Sequence, residues 1–538
     1  MTTQRVFVRD ATGLVRSISS FDGFNIAFSF VNVLSSIVWV CSWTPVGYPG
    51  ANTAYALLAA GPLVMLVAVI YAVMSNAIPR SGGDYVWVSR LLHPAVGFMQ
   101  NFYMNFAFIY WLALIISWVP NWWLSALFAW LGVATGSSYL TGLSSTIATP
   151  TWTFIIGTLL ISYVFVILIA GMKNLARIQL VLFLIANAGM ILIIGLMFAT
   201  PTSTFIANFN TYMQNSGSTT TYQSIIDTAK TVGYVPGWSL APTLIALPYG
   251  FGAYGGYNWS SYISGEIKDA RRKMSWTIIP TGLISVAFYT LMALGIFHLA
   301  GYDFYNGIQY IYYLKPDAYP KALILPPLIN YFVTFATSNF WLAFIILIAY
   351  VVNGIWFIGG MPTFISRCWF AWAFDRVIPS KLAEVSERLN VPVYIVILEG
   401  IFTWIALYLL IFTQFFAYQA NVYVGWMVCY AIVGLSVTIF PWKKRELFES
   451  VIPPRFKKRI AGVPLLSILG GIMCVFFIFM IYAAASNQAL GGAMTWASVG
   501  VGIFGIFIIA LAIYAISYIY HKRMGIDIRM AFEDIPPE

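Results

Sequence analysis

The stretch ALPYGFGAYGGYNWSSYISGEIKDARRK, residues 246–273, decides how this chain folds. It begins as part of an apolar segment of membrane length, which is then interrupted by Gly250, Gly252, Gly255 and Gly256. Each glycine in a helix interior costs about 1 kcal/mol relative to alanine, so the cluster predicts a broken helix. Backbone groups freed at membrane depth must face protein or water, and in a cavity they can bind a small polar solute. The alternative is that Gly252 and Gly256 only let two helices pack closely.

The composition indicates a membrane protein. Hydrophobic residues make up 60% of the chain and charged residues 9%, whereas a soluble domain carries nearer a quarter charged residues. Four cysteines, at positions 41, 368, 429 and 474, have no paired spacing, so neither a disulfide framework nor a metal site is expected. The net charge of +10 does not indicate nucleic-acid binding, because the basic residues lie in short loops beside apolar segments.

About twelve apolar segments are long enough to cross a membrane. We place them at 21–41, 54–76, 94–118, 153–170, 178–198, 241–263, 276–300, 329–364, 393–412, 415–440, 465–484 and 496–519. Residues 121–131 either continue the third span or form an interfacial helix, and glycines and a proline at 359–362 could interrupt the eighth. The longer segments 200–237, 301–326, 366–390 and 441–459 are predicted to be loops.

The basic residues are segregated when the loops are assigned alternately to two sides. Lys230, Lys315 and Lys321 fall on one side, and all the others fall on the side of both termini. The positive-inside rule predicts that this side is cytoplasmic. We therefore expect a multi-pass protein of the cell membrane with cytoplasmic termini.

The first span has polar residues at membrane depth, namely Ser29, Asn32, Ser35 and Ser36. The first and sixth spans open two successive sets of five spans that enter the membrane from opposite sides. Interruptions at matching positions in two such sets indicate an inverted repeat with a binding site at the midplane. The alternative for the two adjacent serines is a hydrogen bond back to the preceding helical turn.

Three stretches resemble, in order, segments of the amino acid–polyamine–organocation (APC) transporters. They are IPRSGGDYVWVSR at 78–90, FGAYGGYNWSSYISGEIKDARRK at 251–273 and SRCWFAWAFDRVIP at 366–379. The resemblance covers nearly the whole chain and is that of an amino acid permease. It implies an all-α polytopic membrane protein with a LeuT-type fold, in which five helices are followed by five inverted ones and two accessory helices.

The resemblance also implies a division of the chain. Residues 1–20 would be a cytoplasmic N-terminal tail, 21–199 the first inverted repeat, 200–240 an extracellular loop and 241–440 the second inverted repeat. Residues 441–520 would hold a basic cytoplasmic loop and the two accessory spans, and 521–538 a cytoplasmic C-terminal tail.

The implied function is secondary active transport of amino acids or related amines by alternating access, coupled to a proton or sodium gradient. A polyamine or other organocation transporter, or an exchanger without ion coupling, is the alternative. An enzyme would need clustered nucleophiles, bases or metal ligands, and a channel would need a legible filter; the sequence shows neither. We expect no cofactor, and as partners a small-molecule substrate, a coupling ion (H⁺ or Na⁺) and the lipid bilayer. The sequence does not indicate an oligomeric state.

The resemblance places the substrate carboxylate at the first break and the amino group at carbonyls of the second. On this chain the positions are Asn32, Val33, Leu34, Ser35 and Ser36 in the first break, and Phe251, Ala253, Tyr254, Gly255 and Gly256 in the second. The pocket would be gated by Phe251 or Tyr254, with a tyrosine packed in a helix interface as the alternative. Asn105 could line the pocket or form a hydrogen bond between helices.

Further candidates lie nearer the predicted cytoplasmic side. Thr363 and Ser366 lie where sodium-coupled relatives of this fold place ion-binding hydroxyls; a capping or packing role is the alternative. Arg16 and Asp375 could form an ion pair that closes an inner gate, or remain two separately solvated charges. Glu399, a few residues into the ninth span, is a candidate functional charge within the membrane. The favoured alternative is an interfacial residue that snorkels or pairs with a loop arginine.

Overall fold

The computed structural model describes residues 14–323, 325–415, 422–486 and 499–533, and these are almost entirely helical. In the first half of the chain the helices are α1 Ser20–Val31, α2 Val33–Gly47, α3 Thr53–Ala77, α4 Asp84–Leu91, α5 Pro94–Trp118, α6 Ser125–Thr135, α7 Ser138–Ile147, α8 Pro150–Ile169, α9 Met172–Ala199, α10 Thr202–Asn215, α11 Tyr222–Thr231, α12 Leu240–Ile245 and α13 Leu247–Gly252. In the second half they are α14 Ala270–Ala300, α15 Tyr302–Leu314, α16 Ile329–Phe332, α17 Phe340–Phe374, α18 Val393–Phe412, α19 Val422–Lys443, α20 Arg445–Val451, α21 Pro454–Lys457, α22 Leu465–Ser486 and α23 Ile506–Arg523.

Short irregular elements complete the fold. Residues Val119–Leu124 and Gly500–Gly505 form π-helical turns. Stretches of 3₁₀-helix lie at Trp259–Glu266, Pro316–Ala318, Val333–Ala336, Ser380–Ala383 and Ile528–Phe532. A small antiparallel hairpin, β1 Arg459–Ile460 with β2 Val463–Pro464, precedes α22.

Eleven helical stretches in the described part of the chain are long and apolar enough to cross a membrane. The predicted sixth span is not among them, because it is divided into α12, α13, a series of turns and the 3₁₀-helix Trp259–Glu266. Together, the eleven stretches and this broken segment confirm the prediction of an all-α polytopic membrane protein with about twelve spans. They also confirm that the glycine-rich segment is not a continuous helix.

The buried core surrounds the first span. Helix α1 packs against α14, α17 and α9, and α3 packs along α14. Helices α8, α9, α18, α22 and α23 instead expose large apolar side chains. In a polytopic membrane protein such apolar outer surfaces face lipid, and the core is where polar groups can be sequestered.

The start of the first span is tied to the end of the broken segment. Ile18 and Ile267 form an isolated parallel β-bridge. The Ile18 N–H donates to the Glu266 carbonyl at 3.2 Å, and the Lys268 N–H donates to the Ile18 carbonyl at 2.9 Å. We call this end of the bundle, where Ile18 and Ile528–Phe532 lie, the terminal end.

The prediction for the eighth span is wrong in its limits. Helix α17 begins at Phe340 and ends at Phe374, so it includes the first residues of the predicted loop 366–390, and it is not interrupted at 359–362. A β carbon at Gly360 would lie 2.8 Å from the Ile26 carbonyl, and one at Gly359 would lie 2.2 Å from the Gln179 amide. These glycines therefore allow neighbouring spans to approach closely and do not end the helix.

Other predicted loops also contain helices. The segment 200–237 holds α10 and α11, and 301–326 holds α15, while α20 and α21 lie within 441–459. Helix α10 buries Phe205, Phe209, Tyr212 and Met213, a spacing that places one face of a helix on the protein. The segment after the third span continues that span through the π turn into α6. The predictions for residues 1–13, 416–421, 487–498 and 534–538 lie outside the described residues.

Candidate functional site

The first span is broken at a single residue. Asn32 has φ 42° and ψ 67°, the left-handed conformation that asparagine tolerates better than most residues. Its N–H donates to the Phe28 carbonyl at 3.0 Å and ends α1. Its side-chain Oδ1 accepts the Ser35 N–H at 3.0 Å and caps the start of α2. One residue thus ends one helix and begins the next.

Helix α17 holds this break in place through Asn353. The Asn32 Nδ2 donates to the Asn353 carbonyl at 3.2 Å, and the Ser35 hydroxyl donates to Asn353 Oδ1 at 2.7 Å. The Trp123 indole N–H donates in turn to the Ser35 hydroxyl at 3.3 Å. All of these groups are buried, so the polar residues of the first break are largely occupied by one another.

The second break is longer and depends on the absence of side chains. Helix α13 ends at Gly252, and the chain runs through turns until the 3₁₀-helix begins at Trp259. Gly256 has φ +109°, and a β carbon there would lie 2.4 Å from Phe30 Cδ1. Only glycine fits both this dihedral angle and this contact.

Tyr289 on α14 connects the two breaks. Its hydroxyl lies 2.7 Å from the Val31 carbonyl, at the end of α1, and 2.7 Å from the Ala253 carbonyl, in the second break. A hydroxyl has one proton, so it donates to one of these carbonyls at a time. Val31 is the last residue of α1 and Ala253 directly follows α13, so the tyrosine hydroxyl lies against a carbonyl at each break.

A cavity of about 20 Å³ lies between the breaks, which is room for about one water molecule. Its lining includes Ser36 from α2 and three residues of the second break. Six aromatic side chains complete the lining, and none of the described residues that form it is charged. The lining residues are Phe30, Ser36, Trp39, Trp111, Trp118, Gly252, Ala253, Gly255, Phe357 and Trp426.

Three of the residues predicted for the site line this cavity: Ser36, Ala253 and Gly255. The others have different surroundings. Val33 and Leu34 are buried in the core, Asn32 and Ser35 hold the first break, and Gly256 packs on Phe30.

The two aromatic gating candidates are packed away from the cavity. The Phe251 ring contacts those of Tyr430 and Phe477. The Tyr254 hydroxyl donates to the Leu57 carbonyl at 2.9 Å, and its ring packs on Tyr289, as expected of a tyrosine in a helix interface.

Asn105 is also not among the cavity residues. Its Nδ2 donates to the Asn101 carbonyl at 2.7 Å and to Asn101 Oδ1 at 3.1 Å, within its own helix.

The sequence reasoning missed the aromatic lining and Tyr289. A signal for the lining was present: Trp111 and Trp118 are seven residues apart on the third span, and Trp426 lies within the tenth. Tryptophans of membrane proteins concentrate at the two interfaces. Tryptophans on one face inside a span therefore favour a buried aromatic site.

The hydroxyls proposed for a sodium site are engaged within α17. Thr363 donates to the Gly360 carbonyl at 2.6 Å, and Ser366 donates to the Pro362 carbonyl at 2.8 Å. The Ser366 oxygen also accepts a hydrogen bond from Arg367 Nη1 at 3.0 Å. These contacts match the packing role, and the sodium site stays a prediction.

Two buried ion pairs close the terminal end. Arg367 forms a two-bonded pair with Glu266, with Nε to Oε1 at 2.6 Å and Nη2 to Oε2 at 3.0 Å. Asp375 pairs with Arg90 at 2.7 Å, because α4 places Arg90 beside the end of α17 and next to the Ala531 carbonyl. The inner gate formed by Arg16 and Asp375 stays a prediction.

Asp84 opens α4 and is fully buried. It accepts hydrogen bonds from the hydroxyls of Tyr71 at 2.8 Å and Tyr262 at 2.9 Å, and from the amides of Asn101 at 3.1 Å and Gln100 at 3.4 Å. Burial raises the pKa of Asp84 to about 6, although these hydrogen bonds act in the opposite direction. The carboxylate joins α3, α4, α5 and the 3₁₀-helix behind the second break.

The sequence matches a known protein family. A family model described as amino acid permease matches residues 18–509. No curated protein matches the chain. The match includes both breaks, the cavity between them and the two ion pairs at the terminal end. The chain belongs to the amino acid permease family and is a multi-pass membrane transporter for amino acids or related amines.

Proposed function

We propose that the protein is a secondary active transporter that moves its substrate by alternating access and binds it in the cavity between the two breaks. The observation that carries this proposal is the shared lining. Ser36 follows the first break, Ala253 and Gly255 form the second, and all three contact the same cavity. Irregular backbone at membrane depth is tolerated where it lines a cavity or is buried in protein.

The lining supports a substrate with an ammonium group. Tryptophan faces attract cations, and the carbonyls of Val31 and Ala253 are acceptors that Tyr289 can share with a ligand. The positive end of α2, which begins at Val33, supports the carboxylate of an amino acid. An organic cation without a carboxylate is the second candidate, and the aromatic, uncharged lining favours it.

The cavity size supports a transport cycle with moving parts. A volume of about 20 Å³ holds one water and no amino acid, so the substrate enters only after the lining moves. The two ion pairs at the terminal end are the contacts that must separate for release on that side. The inverted repeats 21–199 and 241–440 would move relative to each other, since each begins with a broken span.

We propose that transport is driven by a proton or sodium gradient. The hydroxyls of Thr363 and Ser366 both donate within α17, and the Thr363 oxygen keeps lone pairs that can face a cation, whereas the Ser366 oxygen also accepts a hydrogen bond from Arg367. A sodium ion would need further oxygen ligands from α1, whose Ile26 carbonyl lies close to Gly360. Such a site would couple transport to a sodium gradient.

Uptake into proteoliposomes tests the function. The panel contains the labelled common amino acids and the polyamines, each measured with an imposed proton gradient, an imposed sodium gradient and neither. We expect accumulation of at least one amino acid or amine under one gradient. If proteoliposomes take up no member of the panel faster than protein-free liposomes do, the proposal is contradicted.

Labelling of single cysteines tests the proposed location in the cell membrane with both termini in the cytoplasm. Thr219→Cys and Lys443→Cys replace exposed residues that we place on opposite sides. In sealed cells, an impermeant thiol reagent should label Thr219→Cys and spare Lys443→Cys. External labelling at position 443 contradicts the topology.

A further inference from the structure

Glu399 is a buried carboxylate within α18. It is the seventh residue of α18, roughly 9 Å along the helix from Val393, and its side chain is 0% exposed. Its two carboxylate oxygens, Oε1 and Oε2, have no hydrogen-bond partner among the described residues. In the described part of the chain Glu399 therefore neither snorkels to the interface nor pairs with a loop arginine, so the interfacial interpretation is wrong and the functional one remains.

The elements around α18 offer Glu399 one cation. Helix α18 packs against α5, α8, α17 and the 3₁₀-helix Ser380–Ala383. Helices α5 and α8 contain no charged residue, and the 3₁₀-helix contains only the exposed Lys381. Helix α17 contains Arg367, whose charge acts on Glu399. The neutral titratable side chains on these helices are Tyr103, Tyr110, Tyr163, Tyr350 and Cys368, and the last of these interacts electrostatically with Glu399.

Arg367 is already occupied by Glu266. The pair has two hydrogen bonds, and its side chains are 0% and 2% exposed. Two carboxylates therefore share the surroundings of one guanidinium. An ionised carboxylate in an apolar interior without a partner is so unfavourable that it takes up a proton. With Glu399 protonated, the net charge of Arg367, Glu266 and Glu399 is zero.

Glu266 lies where the second break meets the terminal end. It ends the 3₁₀-helix behind the second break, and its carbonyl holds Ile18 through the β-bridge at the terminal end. Opening of that end removes Glu266 from Arg367. Loss of the partner of a buried arginine is strongly destabilising, and Glu399 is a second carboxylate that interacts electrostatically with Arg367.

We propose that Glu399 is the proton-binding site of the transport cycle, protonated while Arg367 is paired with Glu266 and ionised when Arg367 pairs with Glu399 instead. In this exchange the O–H bond of Glu399 breaks, the electron pair stays on the carboxylate, and the proton passes to water at the opened terminal end. The link to transport rests on the proposed function; the proton site itself does not.

Infrared spectroscopy tests the site without any substrate. The full-length protein in liposomes should show the C=O stretching band of a protonated carboxyl at pH 8, where Asp84, with a pKa of about 6, is ionised. Glu399→Gln should remove this band. Glu387→Gln, which changes an exposed carboxyl shortly before α18, is the matched control and should keep it.

A second variant keeps the test decisive if Glu399→Gln folds poorly. Glu266→Gln leaves Arg367 free to pair with Glu399, so the band should disappear at a lower pH than in the wild type. An unchanged band in Glu399→Gln, or an unchanged titration in Glu266→Gln, overturns the proton site.

Transport measurements then test the coupling with the same panel of amino acids and polyamines. Under an inward proton gradient, wild type should accumulate its substrate, whereas Glu399→Gln should lose accumulation and retain exchange of labelled for unlabelled substrate. Full accumulation by Glu399→Gln, or wild-type accumulation driven by sodium alone, overturns the coupling role. A wild type that moves no panel member contradicts the proposed function, and the infrared result then still decides the proton site.

Discussion

The two broken spans leave helical geometry by opposite means. The first break is one residue long and is held by side chains, since Asn32 caps α2 and bonds to Asn353 of α17. The second break extends over several residues and depends on missing side chains, with Gly256 pressed against Phe30. A break built from hydrogen bonds therefore weakens when atoms are removed, whereas a break built from glycine is destabilised when atoms are added.

The largest expected effect comes from adding one methyl group at Gly256. Gly256→Ala places a β carbon 2.4 Å from Phe30 Cδ1 on a backbone with φ +109°. We expect a loss of about 2–4 kcal/mol in the free energy of unfolding, from overpacking and backbone strain together. Thermal unfolding of the purified protein measures it. Gly195→Ala is the control, because nothing lies within 4 Å of that position. Equal melting points for the two variants would remove the steric account of the second break.

Removing the Asn32 side chain should have the next largest effect. Asn32→Ala loses the cap on Ser35 and the bond to Asn353, and it keeps a left-handed residue without the side chain that favours it. We expect a loss of about 1–3 kcal/mol. Asn32→Gly relieves the dihedral strain, so it should be milder than alanine. A larger loss of stability in Asn32→Gly than in Asn32→Ala would show that strain in the backbone dihedral angle does not limit stability at this break.

Loss of the hydroxyl that joins the two breaks should be milder still. Tyr289→Phe removes the contacts with the Val31 and Ala253 carbonyls and should cost about 0.5–1.5 kcal/mol. Tyr350→Phe is the matched control, because that buried hydroxyl has no hydrogen-bond partner in the described part of the chain. Melting curves for both variants decide whether the bridge between the breaks contributes to stability.

The smallest effect on stability is expected at Gly252, four residues before Gly256. A β carbon at Gly252 would have Tyr423 Cβ at 3.9 Å as its nearest neighbour, in ordinary contact distance, and would point into space beside the cavity. Gly252→Ala should therefore melt like the wild type. It should still reduce transport about tenfold or more, since one methyl group in a binding pocket is worth about 1–3 kcal/mol. Unchanged uptake by this variant would argue against the cavity as the substrate site.

The sequence predicted those parts of the fold that depend on local signals. The ninth span begins and ends where predicted, at Val393–Phe412, and the third span begins where predicted, at Pro94, because proline precedes or opens each helix. The break at Asn32 and the break after Gly252 were also predictable, from polar residues and glycines at membrane depth.

Contacts between distant residues decided what the sequence could not predict. The glycines at 359 and 360 indicate a helix break when only the local sequence is considered. Their contacts with Gln179 and Ile26 on other spans show that they allow close packing instead. Likewise, the pairing of Asp375 with Arg90 depends on where α4 docks, 285 positions away in the chain. The helix α10 is a different case, since the spacing of its phenylalanines was legible in the sequence.

The bond between Asn32 and Asn353 has a consequence for biosynthesis, because the two residues are 321 positions apart. A ribosome that adds about 5–20 residues per second needs roughly 16–64 s to cover that separation. Throughout this interval the first span is already made, while the partner that holds its break has not yet emerged. We therefore expect the first span to enter the membrane in a different conformation and to acquire its break only after the eighth span is inserted.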